Sequence, residues 1–231
     1  MQKLFYQEAA NFDVLPLDNS TLARFMTPRP SATAGRTTFT YSGELSSVPA
    51  SCAPDILDRS YIIRADVTIP DGGAEGMIVT EGGRFGGYGL FLSKGDMGIG
   101  RGHVVFLYNL LGLKRTMWEG PELKPGKHNI QFDFTFDGPG LGKGGTGQLI
   151  VDGQTVATKS LEHTTPIMFP EDETFDVGLD TGTPVSLIEY HYDCPFNFTG
   201  TIDKLTFELG PKQLTAADQT KATELGADVN N

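Results

Sequence analysis

In Ser60–Pro70, Tyr61, Ile63, Ala65, Val67 and Ile69 alternate with Ile62, Arg64, Asp66 and Thr68. A period of two sends successive side chains to opposite faces, so this segment predicts a strand with one face in a core. Lys127–Phe136 repeats the pattern, with Ile130, Phe132, Phe134 and Phe136 on one face and Asn129, Gln131, Asp133 and Thr135 on the other. Gly76–Glu81 and Gly87–Ser93 predict two more strands, the second with Tyr88, Leu90 and Leu92 on one face. His103–Leu111 is apolar at most positions, which predicts a strand covered on both faces. Gln148–Val151 and Gln154–Lys159 flank Asp152-Gly153, the pattern of a hairpin with a tight turn. Phe175–Leu179 and Thr201–Leu209 complete the series, and one further strand is expected near Thr37–Tyr41.

Helical spacing is confined to the ends. Leu4, Phe5, Ala9 and Phe12 predict a short helix over residues 2–12. Thr215 followed by Asp218 predicts a capped helix start near the C-terminus, with Gly226–Asn231 frayed beyond it. No helical pattern is long enough for a βαβ crossover, so the strands must pair antiparallel. The expected fold is an all-β, antiparallel two-sheet jelly-roll sandwich. Its expected boundaries are an N-terminal helix and proline-rich arm (1–58) packed on the sandwich, the sandwich itself (59–211), and a C-terminal helix and tail (212–231).

Composition narrows the partners. The 231 residues include 29 glycines and 14 prolines without a G-x-y period, which suits many turns and excludes collagen. Eighteen Lys and Arg against 29 Asp and Glu give a net charge of −11. Nucleic acid and anionic membranes favour basic surfaces, so neither is an expected partner. No apolar run approaches the ~18 residues of a membrane span. The N-terminus as written lacks the apolar segment of a signal peptide, so the expected location is cytoplasmic. Cys52 and Cys194 are too few for a disulfide scaffold or a four-cysteine zinc site, and one bridge between them stays open.

Four motifs bear on chemistry. Gly140–Gly145 matches G-x-G-x-x-G but lies between two strands, so it reads as a hairpin loop rather than a dinucleotide site. None of the four histidines forms an H-x-x-x-H or H-x-H pair. His191 stands near Asp193, which could orient it as a base, or it is a surface histidine. In the acidic stretch 171–180, Asp176 and Asp180 share a strand face. Hard oxygen ligands there suit Ca²⁺; the alternative is a solvated strand end. The fourth is Gly82-Gly83-Arg84-Phe85-Gly86-Gly87-Tyr88, followed by Tyr108, Asn109 and Trp118. Glycines permit close approach, Arg84 offers a fork of donors, and aromatic faces with amide donors suit a glycan or small organic ligand. The alternative is a tight hairpin with its aromatic residues in the core.

Several separated segments carry a resemblance. Gly73–Val79, Gly82–Leu90, Tyr108–Leu111, Gly144–Gly147, Val151-Asp152-Gly153, Glu173–Val185 and Pro195–Ile202 resemble, in order, the C-terminal region of bacterial arylsulfatases. The resemblance implies a concanavalin- or laminin-G-like sandwich of the kind that follows the catalytic domain there. It does not extend to the active site. A sulfatase needs a C-x-P-x-R string, and in Cys52-Ala53-Pro54-Asp55-Ile56 the arginine position holds Ile56.

The chain is therefore expected to be a freestanding accessory module without sulfatase chemistry. It would bind a glycan or small molecule, or dock on a sulfatase catalytic chain, through Arg84, Tyr88, Tyr108, Asn109 and Trp118. The alternative is a lyase or glycoside-active enzyme using His191, Asp193, Arg84 and Tyr108 as base, orienter, electrophile and acid. A homo-oligomer with a purely structural role is the third expectation.

Overall fold

The computed structural model describes residues 1–12, 14–15, 32–96, 98–170, 172–218 and 220. The stretch with Pro16, Pro28 and Pro30 and the tail Gly226–Asn231 lie outside the described residues. The chain divides into two compact units, Met1–Pro30 with Thr215–Asn231, and Ser31–Leu214. In the first, α1 spans Gln2–Asn11. A second helix starts after Thr215, whose backbone N–H and hydroxyl donate to Asp218 at 2.8 and 2.7 Å, while Asp218 N–H donates back to the hydroxyl. This is the reciprocal cap that the Thr215/Asp218 spacing predicts. Among the described residues no helix is long and apolar enough to cross a membrane.

The second unit is the sandwich. Its strands are β1 (Thr38–Tyr41), β2 (Leu45–Val48), β3 (Tyr61–Ile69), β4 (Gly76–Gly83), β5 (Gly86–Lys94), β6 (Arg101–Leu110), β7 (Lys114–Glu122), β8 (Gly126–Phe136), β9 (Lys143–Val151), β10 (Gln154–His163), β11 (Phe175–Val177) and β12 (Thr201–Leu209). They form two six-stranded sheets, ordered β1-β12-β3-β8-β9-β10 and β2-β11-β4-β5-β6-β7. The pairings between these strands are antiparallel. This is the antiparallel two-sheet sandwich that the alternation predicts.

The main core lies between the sheets. Ile63, Ala65 and Val67 of β3 and Ile130, Phe132 and Phe134 of β8 meet Leu90, Leu92 and Phe106 of the second sheet. The rings of Phe106 and Phe132 stack across the gap with centroids 3.5 Å apart. Trp118 stands edge-on to Phe132 at 5.0 Å. Each such ring contributes roughly 1.5–3 kcal/mol by leaving water.

A second core covers the other face of the second sheet. Met77, Phe91, Val105 and Leu107 pack there against Val185, Tyr190, Tyr192 and Phe196. The segment after β11 thus folds over the sheet, and every residue of β4 and all but the last of β5 are buried. The expectation of two covered faces for β6 holds, and it extends to β4 and β5.

Two strands carry no predictive pattern. β2 reads Leu-Ser-Ser-Val, and in β7 only Trp118 is fully buried. β9 starts at Lys143, so the glycine-rich stretch is a strand from there on rather than a loop throughout. The reason is steric. A Cβ on Gly147 would lie 2.6 Å from the Phe132 ring and 2.7 Å from the Trp118 ring, so glycine makes room for both.

Candidate functional site

The β4–β5 hairpin narrows at its tip. Gly82 and Gly87 face each other in the ladder, at φ of +80° and +147°. A Cβ on either would come within 2.8 Å of the other's Cα, so only glycine permits this approach. The tip then carries Arg84 and Phe85 outward. Phe85 is 59% exposed, and the Arg84 guanidinium lies 5.5 Å from its ring centroid. Arg84 is exposed and makes no ion pair among the described residues.

Asn109 ties this tip to two other loops. Its side chain is fully buried. Nδ2 donates to the carbonyls of Gly83 (3.1 Å), Arg84 (3.0 Å) and Val185 (2.9 Å), and Oδ1 accepts from Gly112 N–H (2.9 Å). Arg84 N–H also donates to the Thr183 hydroxyl at 2.9 Å, and Arg115 Nε lies 3.5 Å from Glu189. One amide therefore gathers the β4–β5 tip, the β6–β7 turn and the loop after Thr183. These loops expose Leu111 (42%), Leu113 (82%), Leu187 (39%) and Ile188 (64%) beside Arg84 and Phe85. Turns are usually polar, and clustered apolar side chains at loop tips mark contact surfaces.

The other residues expected at a binding site are inside the protein. Tyr88 is fully buried against Phe106 and Phe169, with ring centroids 6.1 and 5.8 Å away. Trp118 is fully buried, and its indole N–H donates to Gly147 O at 2.8 Å. The Tyr108 hydroxyl accepts from Thr165 N–H at 2.9 Å, and burial pushes its pKa up to about 12. Of the five, Arg84 alone reaches solvent, and Asn109 positions the loops around it. Phe85, Leu111, Leu113, Leu187 and Ile188 were not singled out by sequence. The available signal was the apolar run Leu110-Leu111-Gly112-Leu113 around a turn glycine.

The four residues of the enzyme reading are not brought together. Tyr108 faces the core between the sheets, whereas His191 lies between Tyr190 and Tyr192 of the cover on the opposite face. Asp193 comes near Lys94, at 3.9 Å. Arg84 stands beyond Gly86 at the other end of β5, and at ~3.3 Å per residue the strand between is roughly 25 Å long. His191 Nε2 is 3.7 Å from Asp193 Oδ1, with the side chains 43% and 84% exposed.

The acidic stretch latches the loop that follows it. Thr181 N–H (2.9 Å) and hydroxyl (2.6 Å) donate to Asp176 Oδ2, and Ser47 N–H (2.6 Å) and the Thr174 hydroxyl (3.2 Å) donate to its Oδ1. Protein donors thus fill all four acceptor positions of that carboxylate. Asp180 accepts from Gly182 N–H at 3.2 Å and the Tyr192 hydroxyl at 2.7 Å. Burial raises its pKa to about 6. Thr183 donates its N–H and hydroxyl to Glu173. Among the described residues no group of three or more His, Cys, Asp or Glu side chains is arranged to hold a metal ion. Cys52 and Cys194 are both free thiols.

No family model and no curated protein matches the chain. Among solved structures it is similar to the CBM40 module of the Ruminococcus gnavus IT-sialidase bound to α2,3-sialyllactose. Identity is 15% and TM-score 0.48, over 78% of this chain and 97% of that one. It is also similar to domains LG4-5 of the mouse laminin α1 chain, with 13% identity and TM-score 0.44 over 82% and 46%. A third is a botulinum neurotoxin type C structure whose description concerns cell entry through two ganglioside molecules, with 11% identity and TM-score 0.42 over 74% and 36%. The likeness is one of strand arrangement.

Proposed function

We propose that the chain is a non-catalytic accessory module that docks on a partner chain through the loop end around Arg84 and Phe85. The observation that carries this is the Asn109 clamp. A buried amide spends all its hydrogen bonds to hold three loops whose outward side chains are apolar. Preorganised loops bind without first being ordered, and a few large side chains dominate such contacts. The resemblance to the arylsulfatase C-terminal region suggests the partner, a sulfatase catalytic chain. The break at Ile56 and the separation of Arg84 and Tyr108 from the His191–Asp193 pair favour binding over catalysis. The test is calorimetric titration against a bacterial arylsulfatase catalytic domain. Wild type should bind, and a Phe85→Ser/Leu113→Ser variant with an unchanged melting curve should bind at least tenfold more weakly. No binding by wild type, or equal binding by the variant, overturns the reading.

One observation favours a second reading. Arg84 over the exposed Phe85 ring pairs a fork of donors with an aromatic platform, which suits a carboxylate-bearing sugar. On a glycan array this reading expects acidic glycans to bind wild type and to be lost with Arg84→Ala. A blank array overturns it.

A further inference from the structure

A cavity lies elsewhere on the sandwich unit, formed by the segment before β1, the residues before β3 and the end of β12. Its volume is about 450 Å³, and Arg36, Phe39, Asp55, Arg59, Leu209 and Lys212 are among its lining residues. Three cations thus face one carboxylate, in a chain whose net charge is −11.

Asp55 cannot balance them. Its Oδ2 takes Lys212 Nζ at 2.7 Å and Arg59 Nη2 at 3.5 Å. Its Oδ1 accepts Leu57 N–H at 3.1 Å. Arg59 is largely buried. Nη1 donates to Gly210 O at 3.3 Å, and its buried Nε has no hydrogen-bond partner. Arg36 is exposed, with its guanidinium carbon 4.5 Å from the Phe39 ring centroid, and it makes no ion pair among the described residues. Like charges around one cavity repel unless an anion joins them. Two guanidinium forks and one ammonium match an anion with several oxygens.

The volume falls within the ~300–1,000 Å³ of small-molecule sites, more room than one inorganic anion needs. Phe39 and Leu209 give part of the lining an apolar character. We infer that this pocket binds a small organic phosphate ester, with Arg36, Arg59 and Lys212 on its phosphate and its organic part in the remaining space.

The test is titration of the full chain at low ionic strength with phenyl phosphate, inorganic phosphate and benzyl alcohol, followed by amide chemical shifts. Phenyl phosphate should bind, inorganic phosphate more weakly, and benzyl alcohol not at all. Arg36→Ala and Lys212→Ala change exposed residues and should leave the melting curve in place. The double variant should weaken phenyl phosphate binding at least tenfold. No binding of phenyl phosphate, or equal binding by the double variant, overturns the site. Equal affinity for inorganic phosphate overturns the organic-ester assignment.

Discussion

The two sheets of the sandwich treat their outer faces in opposite ways. The first sheet gives its outer face to water and lines it with a polar lattice. Arg64 Nε donates to Gln131 at 2.9 Å, Gln131 to Asp133 at 2.9 Å, and Asn129 to Asp66 at 2.7 Å. The second sheet hides its outer face under its own chain, with Tyr190, Tyr192 and Phe196 resting on Phe91. The difference teaches where this protein can touch something else. Covering one face of that sheet internally leaves the loop tips with Phe85, Leu113 and Ile188 as apolar surface of the sandwich unit that still faces outward.

The largest test asks whether that cover is a true core. Phe91 is fully buried beneath three rings, so Phe91→Ala should cost about 3–5 kcal/mol, as much as Phe132→Ala between the sheets. Urea denaturation measures both. A cost below ~1 kcal/mol for Phe91→Ala alone would mean that the cover rests loosely, and the comparison would fail.

A second test uses charge. Glu81 on β4 is buried and opposes Tyr88 in the ladder. Burial above all, with the negative charge of Asp55 in the same direction, raises its pKa from 4.5 to about 8. The folded protein therefore holds a proton that the unfolded chain releases at lower pH. Stability from Glu81 is complete below about pH 4.5 and is lost as pH rises through about 8. Asp180, raised to about 6, adds a loss of the same sign over a narrower and more acidic window. Glu81→Gln should flatten the decline, by on the order of 3 kcal/mol between pH 5 and 9. An unchanged slope of unfolding free energy against pH would show that Glu81 is already ionised in the fold.

A third test is local to the cover. The Tyr192 hydroxyl accepts from Val185 N–H at 2.9 Å and donates to Asp180 at 2.7 Å. Tyr192→Phe leaves the Val185 N–H buried without its acceptor and takes from Asp180 one of its donors, Gly182 N–H remaining, at a cost of about 1–3 kcal/mol. Amide exchange should accelerate between residues 178 and 198 and stay unchanged in β3 and β8. A neutral substitution would make ring packing, not the hydroxyl, the anchor.

The same contrast explains what could be read from residues alone. β3, β8 and β12 have one wet face, so their alternation is visible and their limits fall within a residue or so of expectation. β6 lacks alternation because both faces are dry, and that too was legible. β7 escaped because its side chains are mostly half-exposed at a sheet edge, leaving Trp118 as its single strong signal. Tyr88, Tyr108 and Trp118 were ambiguous for a different reason. An aromatic residue on a strand looks the same whether it faces ligand or core, and only register against a second sheet decides. The clamp was out of reach, since Asn109 acts on Gly83, Arg84, Gly112 and Val185, which are joined only by the fold.

The smallest effect is expected on the wet face, and its smallness is the point. Arg64 Nη1 lies 3.0 Å from Glu208, with the side chains 36% and 45% exposed. Geometry alone ranks this ion pair with the buried contacts. Water changes the ranking, because both charges are already well solvated when apart and holding two long side chains together costs entropy. Arg64→Ala should cost about 0.2–1 kcal/mol by urea denaturation, and less still at high salt, where screening weakens the pair. A cost above ~2 kcal/mol, insensitive to salt, would mean that the lattice of Arg64, Gln131 and Asp133 behaves as a desolvated network. The first sheet would then have a covered outer face of its own, and the loop tips would lose their claim to be where this protein meets its partner.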